Sequence, residues 1–155
     1  MISFSRPMIL IAPGTGIAPC RALLWDRAEA NRKHNMGKAY LFFGGRNRQA
    51  DFFYEDEWKK AMLQTTVFTA FSRDQKEKIY VQDIIRREGQ LIEYLIRKEN
   101  AVIYVCGSSG AMPKAVKEAL MDCIQKFNAK HPDRKQVENL FTQMERTGRY
   151  IQETW

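Results

Sequence analysis

Short apolar runs alternate along this chain with longer segments in which apolar residues recur every three or four positions. Runs of this length, rich in β-branched and aromatic residues and ended by glycine or proline, are typical of buried strands. They predict strands at residues 8–11, 38–44, 65–71 and 101–107, and a strand-like tail at 149–155. The helical spacing predicts helices at residues 20–28, 51–62, 80–87, 88–100, 111–128 and 133–146, with Asp51 as the N-cap of the second.

This alternation predicts an α/β fold with an open, mostly parallel five-stranded sheet and helices on both faces, because parallel strands need crossover connections. In such a sheet, ligands bind beyond the carboxyl ends of the strands. The residues that follow each strand therefore form the candidate site, namely Gly14–Gly16 and positions 44–46, 72–73 and 106–109.

A glycine-rich turn, Pro13-Gly14-Thr15-Gly16, separates the first strand from the first helix. Glycine adopts positive φ freely and lets a ligand approach the main chain, and the helix start supplies unpaired N–H groups and a positive dipole end. The turn is a candidate phosphate or pyrophosphate site. A nucleotide hydrolase of the P-loop kind is the less favoured alternative, because the turn lacks the Gly-Lys-Ser/Thr ending of that loop and no metal-binding aspartate is evident.

Two cations and two hydroxyl groups follow the third strand: Arg73 and Lys78, and Ser72 and Tyr80. The amide of Gln82 follows two residues after Tyr80. A phosphate dianion prefers charge-assisted donors, and a guanidinium offers two in parallel. A solvated basic loop would have the same composition. Its position beside the glycine-rich turn favours recognition of a phosphorylated ribose, with the tyrosine ring stacked on a base.

The chain has 155 residues, 45% hydrophobic and 28% charged, with a net charge of +7, which indicates one ordinary globular domain that favours an anionic ligand. No apolar run approaches the about 20 residues that cross a bilayer, and no signal peptide is evident, so we expect no membrane contact and a cytoplasmic location. Cys20, Cys106 and Cys123 are scattered, which argues against a disulfide framework or a metal site. A basic nucleotide- or nucleic-acid-binding module is the non-enzyme alternative; it is disfavoured because the aromatic residues fall in apparent buried strands.

The motifs occur in a characteristic order: residues 13–19 (PGTGIAP), 71–73 (FSR), 78–82 (KIYVQ) and 105–107 (VCG). In this order and spacing they resemble the NADP(H)-binding domain of the diflavin reductases, a branch of the ferredoxin–NADP reductase superfamily. The resemblance covers nearly the whole chain, so residues 1–155 are expected to form that domain. The closing residues 150–155 are most similar to the branch that acts in cytosolic iron–sulfur protein assembly. A domain of the cytochrome P450 reductase or methionine synthase reductase type is the alternative.

The resemblance also implies roles for individual residues. Around the adenosine and phosphates, Gly14, Thr15 and Gly16 would hold the pyrophosphate, and Tyr80 would pack on the adenine. The 2′-phosphate would be bound by Ser72, Arg73, Lys78 and Gln82. The remaining cofactor contacts would be Arg46 on a phosphate, Met112 on the adenosine side, and Gly107.

On the nicotinamide side, the resemblance implies that Cys106 assists hydride transfer from nicotinamide C4 to flavin N5. Trp155 would stack on the flavin and swing aside for the nicotinamide. Glu153 stands where many relatives carry an aspartate that steadies this network.

The resemblance finally implies partners that this chain does not contain. FAD- and FMN-binding domains are expected elsewhere in a longer protein, together with an electron-accepting protein of the iron–sulfur type. Hydride transfer is chemistry that the cofactors carry and the protein orients. We therefore expect this chain alone to bind NADP(H) and to be almost inactive as a reductase.

Overall fold

A computed structural model describes residues 5–31 and 36–155 of the chain. Its centre is a five-stranded sheet in the order β3-β2-β1-β4-β5, and every neighbouring pair is parallel. The strands are β1 (Met8–Pro13), β2 (Ala39–Gly45), β3 (Thr65–Phe71), β4 (Val102–Gly107) and β5 (Tyr150–Thr154). The predicted α/β fold is confirmed, including the strand at the end of the chain.

Seven helices in the described part of the chain connect the strands. They are α1 (Ile17–Asn31), α2 (Arg48–Asp51), α3 (Glu55–Trp58), α4 (Val81–Arg87), α5 (Gly89–Arg97), α6 (Ala111–Phe127) and α7 (Arg134–Arg146). Helix α1 starts three residues earlier than the spacing predicts, so that Pro19 lies in its first turn. Proline is tolerated there because the first N–H groups of a helix have no partner within it.

The sheet separates two apolar layers, as the pleat of a strand requires. Side chains such as Met8, Leu10 and Cys106 pack against α1 on one face. Alternate side chains such as Ile9 and Ile11 pack against α4–α7 on the other. Helices on both faces therefore bury most of the three central strands, β1, β2 and β4.

The predicted helix at residues 51–62 is wrong. The structure has two single-turn helices here, α2 and α3, followed by a 3-10 turn at Ala61–Leu63. Tyr54 adopts a left-handed backbone with φ of 60°, which interrupts the helix. The rings of Phe52 and Phe53 pack on Phe43, with ring centres 5.6 and 6.4 Å away. This aromatic packing overrides the helical propensity of the segment.

Helix α3 is fixed to α1 by one carboxylate. The Arg21 guanidinium donates two hydrogen bonds to Glu57, each of 2.7 Å, and the Trp25 indole donates a third of 3.1 Å. These donors, Arg21 first, lower the pKa of Glu57 to about 2. The Glu57 carboxylate is therefore ionised at neutral pH, and the ion pair holds the irregular segment against α1.

The final residue is tied to the sheet and does not fray. The Trp155 N–H donates to the Gly107 carbonyl at 3.2 Å, and the Ser109 N–H donates to the Trp155 main-chain oxygen at 2.8 Å. The backbone of the tail is thus bonded to the turn after β4, while the indole is 57% exposed. The sequence alone left this position open.

Tyr150 on β5 provides a first prediction. Its ring packs against Phe141 and lies below the Lys117 ammonium, and its hydroxyl is buried without a hydrogen-bond partner among the described residues. A buried polar group without a partner costs stability. We expect Tyr150→Phe to raise the free energy of unfolding by about 1 kcal/mol in urea denaturation. The exposed Tyr94, whose hydroxyl bonds Glu99, is the control, and Tyr94→Phe should give no gain. A lower stability of Tyr150→Phe would contradict this reading.

Candidate functional site

A cavity of about 380 Å³ opens beyond the carboxyl ends of β1, β2 and β3. The turns that follow β1 and β2 and the start of α4 form its walls. Its lining residues are Gly14, Thr15, Gly44, Gly45, Arg46, Asp51, Phe53, Ala70, Ile79, Tyr80 and Val81. The structure thus brings together four residues that the sequence assigned to one ligand: Gly14, Thr15, Arg46 and Tyr80.

The glycine-rich turn is a 3-10 turn, Gly14–Gly16, that leads directly into α1. Gly14 has a φ of 59°, and a Cβ built on it would meet nothing within 4 Å. Gly16 differs, because its Cβ would lie 1.9 Å from the Cys106 carbonyl oxygen. The first turn of α1 carries no acidic side chain, so nothing there offsets the positive end of the helix dipole. The open space above Gly14 fits an anion.

The loops after β2 and β3 are bonded to each other. The Ser72 N–H donates to the Gly45 carbonyl at 3.0 Å, and the Arg73 N–H donates to the Arg46 carbonyl at 2.8 Å. Asp74 adds a further link, because its carboxylate accepts hydrogen bonds from the Arg48 N–H and the Asn47 side chain. Arg46 and Arg73 are therefore neighbours on a braced pair of loops.

Asp51 organises the same loop from within the cavity. Its carboxylate accepts hydrogen bonds from the N–H groups of Asn47 at 3.0 Å and Arg46 at 2.9 Å. These bonds, Asn47 first, lower the pKa of Asp51, with a contribution from the charges of Arg46 and Arg73. A Cβ at Gly45 would lie 2.9 Å from the Asp51 Cβ, so a glycine there leaves room for this arrangement. Asp51 was predicted as a helix N-cap; that role is wrong.

Two aromatic rings stand in the cavity wall. Tyr80 precedes α4, where its N–H donates to the Asp83 carboxylate at 2.8 Å, and its ring is 45% exposed. Phe53 is exposed to a similar extent, at 44%. Sequence reasoning missed Phe53 because the segment was interpreted as a helix. The run of three aromatic residues, Phe52 to Tyr54, is the signal that could have found it.

The other predicted phosphate ligands lie outside the cavity wall. Ser72 and Arg73 lie at its rim, through their backbone bonds to Gly45 and Arg46. Lys78 is exposed in the loop just before Ile79, and Gln82 is half-buried in the first turn of α4. None of the Arg46, Arg73 and Lys78 side chains forms an ion pair with a carboxylate in the described part of the chain. These cations are available to an anionic ligand.

A second group of predicted residues lies at the ends of β4 and β5. Cys106 pairs with Glu153 in the sheet register and is fully buried between α1 and the glycine-rich turn. Burial, in the first place, raises the pKa of the Cys106 thiol, so that it is protonated at neutral pH. Met112 packs on the turn after β4, with its Cε 3.0 Å from the position a Gly107 Cβ would take.

The Glu153 carboxylate, near the end of β5, is hydrogen-bonded to a tyrosine of β4. Its Oε2 accepts a hydrogen bond of 2.5 Å from the Tyr104 hydroxyl. Burial, followed by this hydrogen bond, raises the pKa of Tyr104 well above its usual range, so the phenol keeps its proton. Sequence reasoning missed Tyr104, although its place two residues before Cys106 on the same face of β4 is readable from the strand period.

Within residues 5–31 and 36–155, no three His, Cys, Asp or Glu side chains come together in a group that could hold a metal ion. None of the helices in that part of the chain combines the length and apolar character that crossing a bilayer requires.

Comparison with known proteins places the fold and cavity in context. The sequence profile of a family described as "Oxidoreductase NAD-binding domain" matches residues 10–118. Similar curated proteins carry the name "NADPH-dependent diflavin oxidoreductase 1". That of Emericella nidulans is 45% identical over 96% of this chain and 25% of its own length, and that of Aspergillus fumigatus is 46% identical over the same shares. That of Schizosaccharomyces pombe is 39% identical over 97% and 25%. The chain thus spans about a quarter of the length of these relatives.

Proposed function

The chain belongs to the oxidoreductase NAD-binding domain family, and from this premise we propose that it is the NADP(H)-binding module of a diflavin oxidoreductase. In this proposal residues 1–155 are one domain of a longer reductase, as the share of the relatives' length suggests. The module holds the coenzyme with its nicotinamide toward a flavin. Nicotinamide supplies the hydride, and the flavin accepts it.

One observation carries the proposal: the open space beside Gly14, two arginines that form no ion pair with a described carboxylate, and an exposed tyrosine ring lie together at the carboxyl ends of the strands. The Gly14–Gly16 turn would hold the pyrophosphate above the start of α1. Arg46 and Arg73, braced side by side, would bind phosphate oxygens with their guanidinium groups. Tyr80 would pack on the adenine, as a half-exposed ring can without reorganising its neighbours.

The remaining predicted ligands complete the module. Ser72, Lys78 and Gln82 would join Arg73 around the 2′-phosphate. Met112 would line the adenosine side, and Gly107 would contact the coenzyme. Cys106, Glu153 and the exposed Trp155 would form the nicotinamide side. The Cys106 thiol is small and polarisable, so it would contact the nicotinamide ring without blocking it. Because Cys106 is fully buried, this contact requires the residues that cover it to move aside.

The complete protein needs an acceptor for the electrons that the flavins receive. We infer that the complete protein passes them from FAD through FMN to an iron–sulfur protein acceptor in the cytoplasm, in iron–sulfur protein assembly. The names of the relatives support the two flavins. The resemblance of residues 150–155 to that branch of the diflavin reductases supports the acceptor. On its own, this chain would bind NADP(H) and transfer almost no electrons.

Calorimetric titration of the chain with two small ligands tests the coenzyme assignment. 2′,5′-ADP carries the phosphate that distinguishes NADPH from NADH, and 5′-AMP lacks it. We expect 2′,5′-ADP to bind at least about tenfold more tightly, since one charge-assisted hydrogen bond contributes about that much. Equal affinities for the two ligands, or no binding of either, would refute an NADP(H) module. The same order should hold for NADPH against NADH.

A further inference from the structure

The hydrogen bond between Tyr104 and Glu153 links the last two strands of the sheet at its ligand edge. Tyr104 pairs with Ile151 and Cys106 pairs with Glu153, so all four side chains project from one face. The Tyr104 ring is 6% exposed and lies in the apolar layer above α1, and only its hydroxyl reaches the carboxylate. The contact is a hydrogen bond from a buried phenol to an exposed glutamate carboxylate.

This bond limits where the Glu153 carboxylate can lie. A glutamate has one more rotatable bond than an aspartate, and fixing it costs side-chain entropy. A hydrogen bond to an ionised group is short and strong, and the 2.5 Å separation is in that range. Oε2 is held by the phenol, which leaves Oε1 as the oxygen that a ligand would meet.

We propose that Tyr104 is a positioning residue for hydride transfer: it holds the Glu153 carboxylate beside Cys106, at the edge where the nicotinamide is to bind. This inference rests on the proposed function. A hydride carries two electrons and a proton from nicotinamide C4 to flavin N5 and leaves a positive charge on the nicotinamide ring. A carboxylate already fixed nearby stabilises that charge without reorganisation. Neither Tyr104 nor Glu153 gains or loses a proton in this step.

Tyr104→Phe removes the hydroxyl and keeps the ring, so the apolar layer is retained. In the protein with its flavin domains, we expect flavin reduction by NADPH, followed by stopped-flow absorbance, to slow about tenfold, while KM for NADPH changes less than twofold. Tyr150→Phe is the matched control, because Tyr150 is as buried as Tyr104, at 5% against 6% exposed, but its hydroxyl has no partner among the described residues. It should leave the rate of flavin reduction unchanged.

A double-mutant cycle separates positioning from packing. In a Glu153→Ala background, Tyr104→Phe should slow flavin reduction no further, because the group it positions is gone. A readout independent of turnover is the carboxyl ¹³C resonance of Glu153 in the labelled chain, which Tyr104→Phe should move and Tyr150→Phe should not.

Three results would overturn the inference: no slowing by Tyr104→Phe, the same slowing in both backgrounds, or an unmoved Glu153 resonance. Failure of the proposed function is recognised separately, because the unaltered chain would then not bind 2′,5′-ADP. That result would remove the premise of this inference without any variant.

Discussion

Replacing Arg73 and Lys78 together with alanine should weaken binding of 2′,5′-ADP about a hundredfold and leave the affinity for 5′-AMP unchanged within about twofold. Each charge-assisted hydrogen bond to phosphate contributes about 1.5–3 kcal/mol, so the loss of two gives at least this factor. Both side chains are exposed and free of ion pairs with described carboxylates, so their removal leaves no buried charge behind. Calorimetric titration of both ligands measures the effect.

The control for this variant removes the same net charge, two positive charges, from the amino ends of the strands, opposite the cavity. Lys38 precedes β2 and Lys98 follows α5, and both are exposed. Lys38→Ala with Lys98→Ala should leave both affinities nearly unchanged, because exposed charges more than about 10 Å apart are screened at 0.1 M salt. If the control pair weakened 2′,5′-ADP as much as Arg73 and Lys78 do, general attraction by the +7 charge would explain the binding.

The strands of this protein could be predicted because both faces of the sheet are covered. A strand that is buried on both faces has a continuous run of apolar residues, such as Met8 to Ile11. Glycines mark the ends of β2 and β4, at Gly45 and Gly107. Their parallel order followed from the helices between them. The carboxyl ends then had to meet at one edge, and this is where the cavity lies.

The segment between β2 and β3 could not be predicted, because two local signals disagree there. Three acidic residues followed by two lysines, at positions 55–60, favour a helix. The rings of Phe52 and Phe53, however, gain more by packing on Phe43 than the helix would gain from continuing. That choice depends on contacts between distant residues, and it also decides that Phe53 and Asp51 line the cavity.

The positions of Tyr104 and Trp155 in the site also could not be predicted from the sequence alone. The strand period places Tyr104 on the face of Cys106, but only the register of β5 brings Glu153 within reach of its hydroxyl. A last residue is expected to be mobile, yet two backbone hydrogen bonds hold Trp155 against Gly107 and Ser109. Pairing between strands, which a single sequence does not specify, settles both positions.

The two glycines of the turn after β1 make the other large prediction, because they are required for different reasons. At Gly14 the requirement is conformational: φ is 59°, and the space around it is open. We expect Gly14→Ala to lower the free energy of unfolding by about 1 kcal/mol, and Gly14→Asn to cost less, since asparagine tolerates the left-handed region.

At Gly16 the requirement is space. A Cβ would lie 1.9 Å from the Cys106 carbonyl oxygen and 2.6 Å from its carbon, and both are backbone atoms that no rotamer change can move. The turn and β4 would have to separate, so Gly16→Ala should lower the free energy of unfolding in urea by about 3 kcal/mol or more. Separation would also displace the turn proposed to hold the pyrophosphate, so the folded fraction should bind 2′,5′-ADP more weakly than Gly14→Ala does. A Gly16→Ala chain as stable as Gly14→Ala would show that the turn and β4 are not in this contact in solution.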